Sequence, residues 1–333
     1  MRTAEFVSPK HPDKMCDRIS DTLLDKFLEQ DPNSRCAIET MGGHGKVWIT
    51  GEVTSNCIVT DEEIKRIVKE ISGVEDVTIH LSKQSPEIAQ GVDTGGAGDQ
   101  GIMIGYASRE TQEMVPFEYS LARALNKHIY QHFPFDGKTQ VTVNGNSVTA
   151  VASFQHASKG NLEELVQDFF KNQYEKFSNG TILKLDKTLC NPAGDWNLGG
   201  FDADAGLTGR KLAVDNYGPR VPIGGGAFSG KDATKVDRSA AYMARRIAVD
   251  ALDRYSLSYA LVELSYAIGY DQPVQARIKG NNRSIDIETG VMLYDVEGYD
   301  LSPNGIIDFL DLRKPQFAET AQWGHFGNDF VWK

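Results

Sequence analysis

The segment GGGAFSGKDATKVDRSAAYMARR, residues 224–246, decides how this chain is read. From Gly225 to Lys231 it has the G-x-x-x-x-G-K spacing of a phosphate-cradling loop, in which the next residue is a Ser or Thr that holds Mg²⁺. Here that residue is Asp232. Such a loop also follows a buried strand, whereas the preceding YGPRVPI is broken by Pro219 and Pro222, which a central strand excludes. What remains is a glycine run whose amides can approach an anion, then Lys231 and Lys235. A helix predicted over 237–254 adds the positive end of its dipole. Surface lysines and an aspartate helix cap explain this segment, taken alone, equally well.

The same order of elements recurs upstream. A stripe of Met15, Ile19, Leu23 and Phe27 predicts a helix over 13–30, followed by a hairpin through MGGHGK. A second helix opens at Thr60, with Glu63 completing a capping box. In the middle of the chain, a helix over 116–131 carries Phe117, Leu121, Ala124 and His128 on one face. A hairpin turning at Asn144-Gly145 and a helix from near Asn161 follow. The last third offers strands at 258–268 and 274–280 and a helix opened by Ser302-Pro303. This pattern predicts an α+β protein of three similar domains, 1–90, 91–203 and 204–333. Glycine clusters at 91–105, 194–209 and 218–230 mark site-forming connections.

Thirty-five basic and 46 acidic residues give a net charge of −11, which argues against nucleic acid or anionic membrane as partners. Cys16, Cys36, Cys57 and Cys190 show no C-x-x-C spacing, and the N-terminus lacks the apolar core of a signal peptide. A reducing, cytoplasmic setting is expected.

Against that acidic background, cations recur beside carboxylates and glycines: HPDK (His11–Lys14), GAGDQG around Asp99, DGK (Asp136–Lys138) and GLTGRK with Asp204 just upstream. A Mg²⁺-bound polyphosphate needs that mixture, because carboxylates hold metal while Lys and Arg neutralise the remaining oxygens. With GGGAFSGKDATKVDRSAAY and SYAIG, these motifs in this order resemble the methionine adenosyltransferase (S-adenosylmethionine synthetase) family, from about Glu5 to ETAQWGHFG. The resemblance implies three similar α/β-sandwich domains around a pseudo-threefold axis. It also implies attack of the methionine sulfur on C5′ of ATP, with the tripolyphosphate released and then cut to diphosphate and phosphate.

Position by position, the resemblance makes His11, Lys138, Arg210, Lys231 and Lys235 catalytic. ATP contacts fall on His11, Asp136, Lys138, Trp196, Asp204, Arg210, Lys211, Ala227 and Lys231. Methionine contacts fall on Glu52, Gln84, Asp204, Lys235 and Ile268. Two Mg²⁺ ions per site go to Asp13 and Asp237, and K⁺ to Glu39. If the first hairpin centres on Gly43-His44, Glu39 and Glu52 share a face. The implied assembly is a homodimer with shared sites, able to pair into a homotetramer. In it HPDK and DGK would act on nucleotide held by the partner's Arg210, Lys211 and Lys231. Some residues depart from the family pattern: Lys10 replaces a glycine and adds charge at the phosphate end, and Asp195 reverses the charge of an ATP contact. A lid of short reach is expected around KQSPEIAQGVD, residues 83–93. A kinase-like enzyme and a non-catalytic binding relative are the rival readings; the first lacks a nucleophile-orienting motif, and the second is opposed by the intact set of charged positions.

Overall fold

The computed structural model describes residues 1–84, 95–177, 180–282 and 291–332. Its first unit runs β1 (Arg2–Val7), α1 (Pro12–Gln30), β2 (Arg35–Gly43), β3 (Lys46–Thr54), α2 (Asp61–Ser72) and β4 (Asp76–Ser82). The second comprises β5 (Gly101–Ser108), α3 (Phe117–Tyr130), β6 (Gly137–Asn144), β7 (Ser147–Phe154), α4 (Lys159–Asp168) and β8 (Lys184–Cys190). The third comprises β9 (Gly206–Leu207), α5 (Val236–Arg254), β10 (Tyr259–Tyr266), β11 (Gln275–Asn281), β12 (Met292–Asp295) and α6 (Pro303–Phe309). Local signals act as expected at several ends. The Thr60 side chain accepts from the Glu63 N–H, and Ser302 accepts from Gly305 ahead of Pro303. Both hairpin turns lie one residue later than predicted. Asn144 pairs with Ser147, so Gly145-Asn146 forms the turn, with only Gly145 at positive φ, as a II′ turn requires. Gly43 pairs with Lys46, leaving His44-Gly45 as the first turn.

The sheets read β9-β2-β3-β4, β1-β6-β7-β8 and β5-β10-β11-β12. The strand ahead of each long helix is therefore handed on: β1 to the second sheet, β5 to the third and β9 back to the first. This closed exchange gives the connectivity threefold character. Each long helix packs across the strand its sheet received and the first strand of its hairpin: α1 on β9 and β2, α3 on β1 and β6, α5 on β5 and β10. Contact is close enough that a Cβ at Gly105 would lie 2.0 Å from the Ala244 carbonyl carbon. Two sheets end in a parallel pair bridged by a helix, β3 with β4 and β7 with β8, while the third is antiparallel throughout.

The apolar stripe of α1 is buried as its period demands, and the opposite, charged face is buried too. Lys14, Asp17 and Asp21 are 0% exposed and Asp25 8%. Desolvating charge is costly unless each group is paired and hydrogen-bonded. Here Asp17 accepts from the Gly209 N–H, Asp21 from Gly230, and Asp25 from Gln316, Phe317 and Ala318. Lys14 bridges Asp17 at 3.0 Å and Asp215 at 2.5 Å. Aspartates four residues apart thus line one helix face and bolt it to the last third of the chain. Among the described residues, no helix is long and apolar enough to cross a membrane.

Candidate active site

The site residues gather in two groups along α1. The first surrounds its N-terminus. His11 is the N-cap, its Nδ1 accepting the Asp13 N–H at 3.2 Å, and Pro12 fills the first helical position. Asp13 sits at the second helical position. Its carboxylate accepts the Leu207 N–H at 2.9 Å and a Lys211 hydrogen bond, and Arg210 Nε lies 3.8 Å away. Burial raises the Asp13 pKa, but Lys211 and the Leu207 amide outweigh it and leave the carboxyl more acidic than usual. Burial, reinforced by the Lys211 and Lys138 charges against Asp13 and Asp204, pushes His11 down to about 4. The imidazole is neutral near pH 7, and acceptance at Nδ1 leaves the proton on Nε2. Asp136 receives the Gly200 N–H at 3.0 Å, and burial raises its pKa. Lys138 stands on the open face of its sheet, 3.6 Å from Glu5. Trp196 packs on Gly199 beside Gln155.

Arg210 and Lys211 thus sit on the same chain's His11 and Asp13, not across a subunit boundary from them. The ion pair to the buried Asp13 carboxylate fixes this. Lys10 turns away from the group: its ammonium donates at 2.7 Å to the Ile71 carbonyl at the end of α2, so it does not add the expected charge to this group. Asp195 accepts from the Lys159 N–H and Asn191 Nδ2 at the start of α4, which absorbs its charge within the fold.

The second group is built by the opening segment. Residues 230–232 lie along the free edge of β2 beyond β9: the Ile38 N–H donates to the Gly230 carbonyl, the Asp232 N–H to Cys36, and Ala37 bridges Lys231. Asp232, where a P-loop has its Ser or Thr, is 2% exposed and accepts from the Cys36 N–H, the Thr234 N–H and Lys235 Nζ. Its work is structural. Lys235 is the N-cap of α5 by position, with no side-chain cap bond, so the aspartate-cap explanation of this segment fails. Asp237 instead pairs with Lys231 at 2.7 Å, each about a fifth exposed. A Cβ at Gly226 would lie 2.5 Å from that carboxylate, so only glycine lets the loop close on it. Ala227 lies in the same loop, where it crowds Gly209. Ile268 is exposed beyond β10, and the neighbouring Gly269 and Tyr270 exchange backbone hydrogen bonds with Ala97 of GAGDQG.

Glu39 pairs with Thr50 and Glu52 with Ala37, which puts both glutamates on one face of the first sheet. Moving the turn by one residue shifts the register by two, so the face survives the misplaced turn. Burial, with Asp17 and Glu52 nearby and Lys231 opposing, raises the Glu39 pKa. Beside them on that face Leu207, Met41 and Trp48 form a row, 38%, 44% and 39% exposed. Gln84 closes the described part of its segment; the rest of the expected lid, residues 85–93, lies outside the described residues.

Sequence reasoning missed Asp17, Asp21 and Arg238, which hold both groups in place; the i, i+4 repeat of aspartate from Asp13 to Asp25 was the available signal. Asp13 belongs to the first group and Asp21 to the backbone beside Lys231, so the groups are about 12 Å apart along the helix. One chain therefore holds the candidate residues in two separate clusters.

Family models for the N-terminal, central and C-terminal domains of S-adenosylmethionine synthetase match residues 1–95, 94–196 and 198–333. S-adenosylmethionine synthase 2 of Rhodospirillum rubrum is 40% identical, covering 98% of this chain and 91% of the relative. The synthase of Clostridium tetani is also 40% identical, covering 99% and 94%. A solved structure, described as an unusual S-adenosylmethionine synthetase from Campylobacter jejuni, superposes with a TM-score of 0.86 at 33% identity, over 99% of this chain and 96% of that one.

Proposed function

The chain belongs to the S-adenosylmethionine synthetase family and is a methionine adenosyltransferase, and on that premise we propose which groups carry the reaction and how chains combine to do it. The methionine sulfur is a neutral thioether with no proton to lose, so the first step needs no base. Sulfur attacks C5′, the C5′–O bond breaks, and tripolyphosphate leaves; water then cleaves it to diphosphate and phosphate. The burden is the leaving group's charge, which preorganised cations meet.

His11, held neutral, offers its Nε2–H to the departing oxygen, with Lys138, Arg210 and Lys211 on the phosphates. Lys231 neutralises charge that builds during displacement, Lys235 serves the methionine and phosphate end, and the Ala227 backbone meets the nucleotide. Asp136 and Trp196 face the nucleoside, while Asp204 is shared with methionine, which Glu52, Gln84 and Ile268 also contact. Asp13 and Asp237 are single carboxylates beside lysines, a donor set that suits two Mg²⁺ ions whose other ligands are phosphate oxygens. When bound, these ions supply charge stabilisation. The oxygens of Glu39, raised in pKa by burial and by the neighbouring Asp17 and Glu52 carboxylates, suit K⁺. A cytoplasmic setting accords with four free thiols.

The observation that carries the assembly is the separation of the two half-sites beside an uncovered apolar row. A second copy seated on that row brings its His11 group to this chain's Lys231 group, giving a two-fold dimer with two composite sites, which further contacts pair into tetramers. Refolding inactive His11→Ala together with inactive Lys231→Met tests it. Random pairing should restore about a quarter of wild-type activity, because half the dimers carry one intact site. Verified heterodimers without activity would place each site within one chain.

A further inference from the structure

The phosphate-loop lysine is held by groups that touch no substrate. We propose that Asp21 of α1 and Arg238 of α5 are positioning residues that set Lys231 for the reaction, an inference that rests on the catalytic reading of Lys231. Both side chains are 0% exposed. The guanidinium meets the carboxylate with two parallel bonds, 2.6 Å and 2.9 Å. The free hydrogen-bonding capacity of the pair goes to the loop on either side of one peptide. Asp21 accepts the Gly230 N–H at 2.8 Å, and Arg238 Nη1 donates to the Lys231 carbonyl at 3.0 Å. Three further contacts stop the guanidinium from turning. Its Nε donates to the Tyr242 hydroxyl at 3.0 Å, its Nη2 to Thr320 Oγ1 at 3.2 Å, and its plane lies 4.1 Å from the Phe317 ring centroid. Tyr242 is itself fixed by His325 Nδ1 at 2.7 Å and by stacking on Trp332. The Lys231 side chain leaves this clamped backbone toward Asp237, so its reach is decided by where the buried pair holds the peptide.

Arg238→Lys keeps the charge opposite Asp21 but cannot span carboxylate, hydroxyl and loop carbonyl together. It should lower kcat about a hundredfold through a small displacement of Lys231, with the KM for methionine changed by less than about twofold. It should also speed amide hydrogen exchange across residues 224–235. Asp21→Asn, which preserves shape and removes charge, should move both readouts the same way and serves if Arg238→Lys fails to fold. Arg123→Lys changes another buried arginine, one that donates to the Phe326 and Gly327 carbonyls and touches neither Asp21 nor the loop; it should lower Tm while kcat stays at wild type, which separates positioning from general stability. Wild-type kcat in folded Arg238→Lys and Asp21→Asn overturns the proposal, and so does an Arg123→Lys enzyme that loses as much kcat as they do. Full activity in Lys231→Met would instead remove the catalytic reading of Lys231, a separate failure.

Discussion

At the start of α5 the second helical residue, Asp237, holds Lys231 at 2.7 Å with both side chains partly in solvent. At the start of α3 the equivalent position is Glu118, 1% exposed, facing Arg220 at 3.2 Å and Arg2 at 3.5 Å. A second acid, Glu110, accepts from both arginines and from the Phe117 N–H. The cyclic exchange of strands makes these corresponding places in the fold, and their chemistry differs. A lysine is a compact point charge on a flexible stem that can leave its carboxylate for a phosphate, while arginine forks between buried carboxylates lock one another. On the proposed assignment the α5 corner is a site held ready, while the arginines of the α3 corner close it. Asp13, at the second position of α1, stands between them: 3% exposed like Glu118, yet paired with a lysine like Asp237.

Two substitutions press on that contrast hardest. Asp237→Asn and Asp13→Asn should each cut kcat by about 10²–10³ with little change in unfolding free energy for Asp237, whose carboxylate is partly solvated. Arg220→Met should do the reverse, costing about 3 kcal/mol in urea unfolding because Glu118 and Glu110 keep only Arg2, with kcat unchanged. If Arg220→Met lowers kcat as far as Asp237→Asn does, the α3 corner is no closed counterpart and the contrast fails.

The first group also carries a pH signature. His11 is held near pKa 4 in the folded chain and titrates near 6.5 when unfolded. Between those values the unfolded state binds more protons, so this group makes stability rise with pH from about 4 to 6.5 and leaves it flat above. His11→Asn should flatten that slope in a series of melting curves. An acid limb of kcat/KM near pH 6.5 that disappears in His11→Asn would show a histidine charged at ordinary pH, and the neutral Nε2–H donor would have to be abandoned.

The helices and hairpins were legible because period and caps are local: the α1 stripe, the Thr60 cap and Ser302-Pro303 all fold as written. The exchange of β1, β5 and β9 was not, since a strand's partner lies a hundred or more residues away and nothing in RTAEFV names it. Site residues could be named from motifs, but their grouping could not. Lys211 reaches Asp13 across 198 positions, and only the packing of α1 against β9 makes that pair. The buried charged face of α1 was missed for a further reason. Aspartate four residues apart looks like a solvated face until the chain offers a backbone N–H for each.

The smallest expected effect concerns Lys10. Its place beside His11 suggests a cation added to the first group, yet its amine ends on the Ile71 carbonyl, and burial followed by the nearby Arg18 lowers its pKa. The carbonyl belongs to the last turn of α2, where an ammonium meets both an orphan acceptor and the negative end of the dipole. Lys10→Gly should therefore cost less than about 1 kcal/mol of stability, of which loss of the helix-end contact is the larger part. Neither kcat nor the KM for ATP should move, because no ammonium leaves the phosphate end. Lys10→Glu sharpens the test: an acid at that helix end is unfavourable, so stability should fall further than in Lys10→Gly while catalysis stays level. A several-fold rise in the KM for ATP in Lys10→Gly would mean that the side chain swings from α2 to the nucleotide on binding, and would add a cation to the His11 half-site.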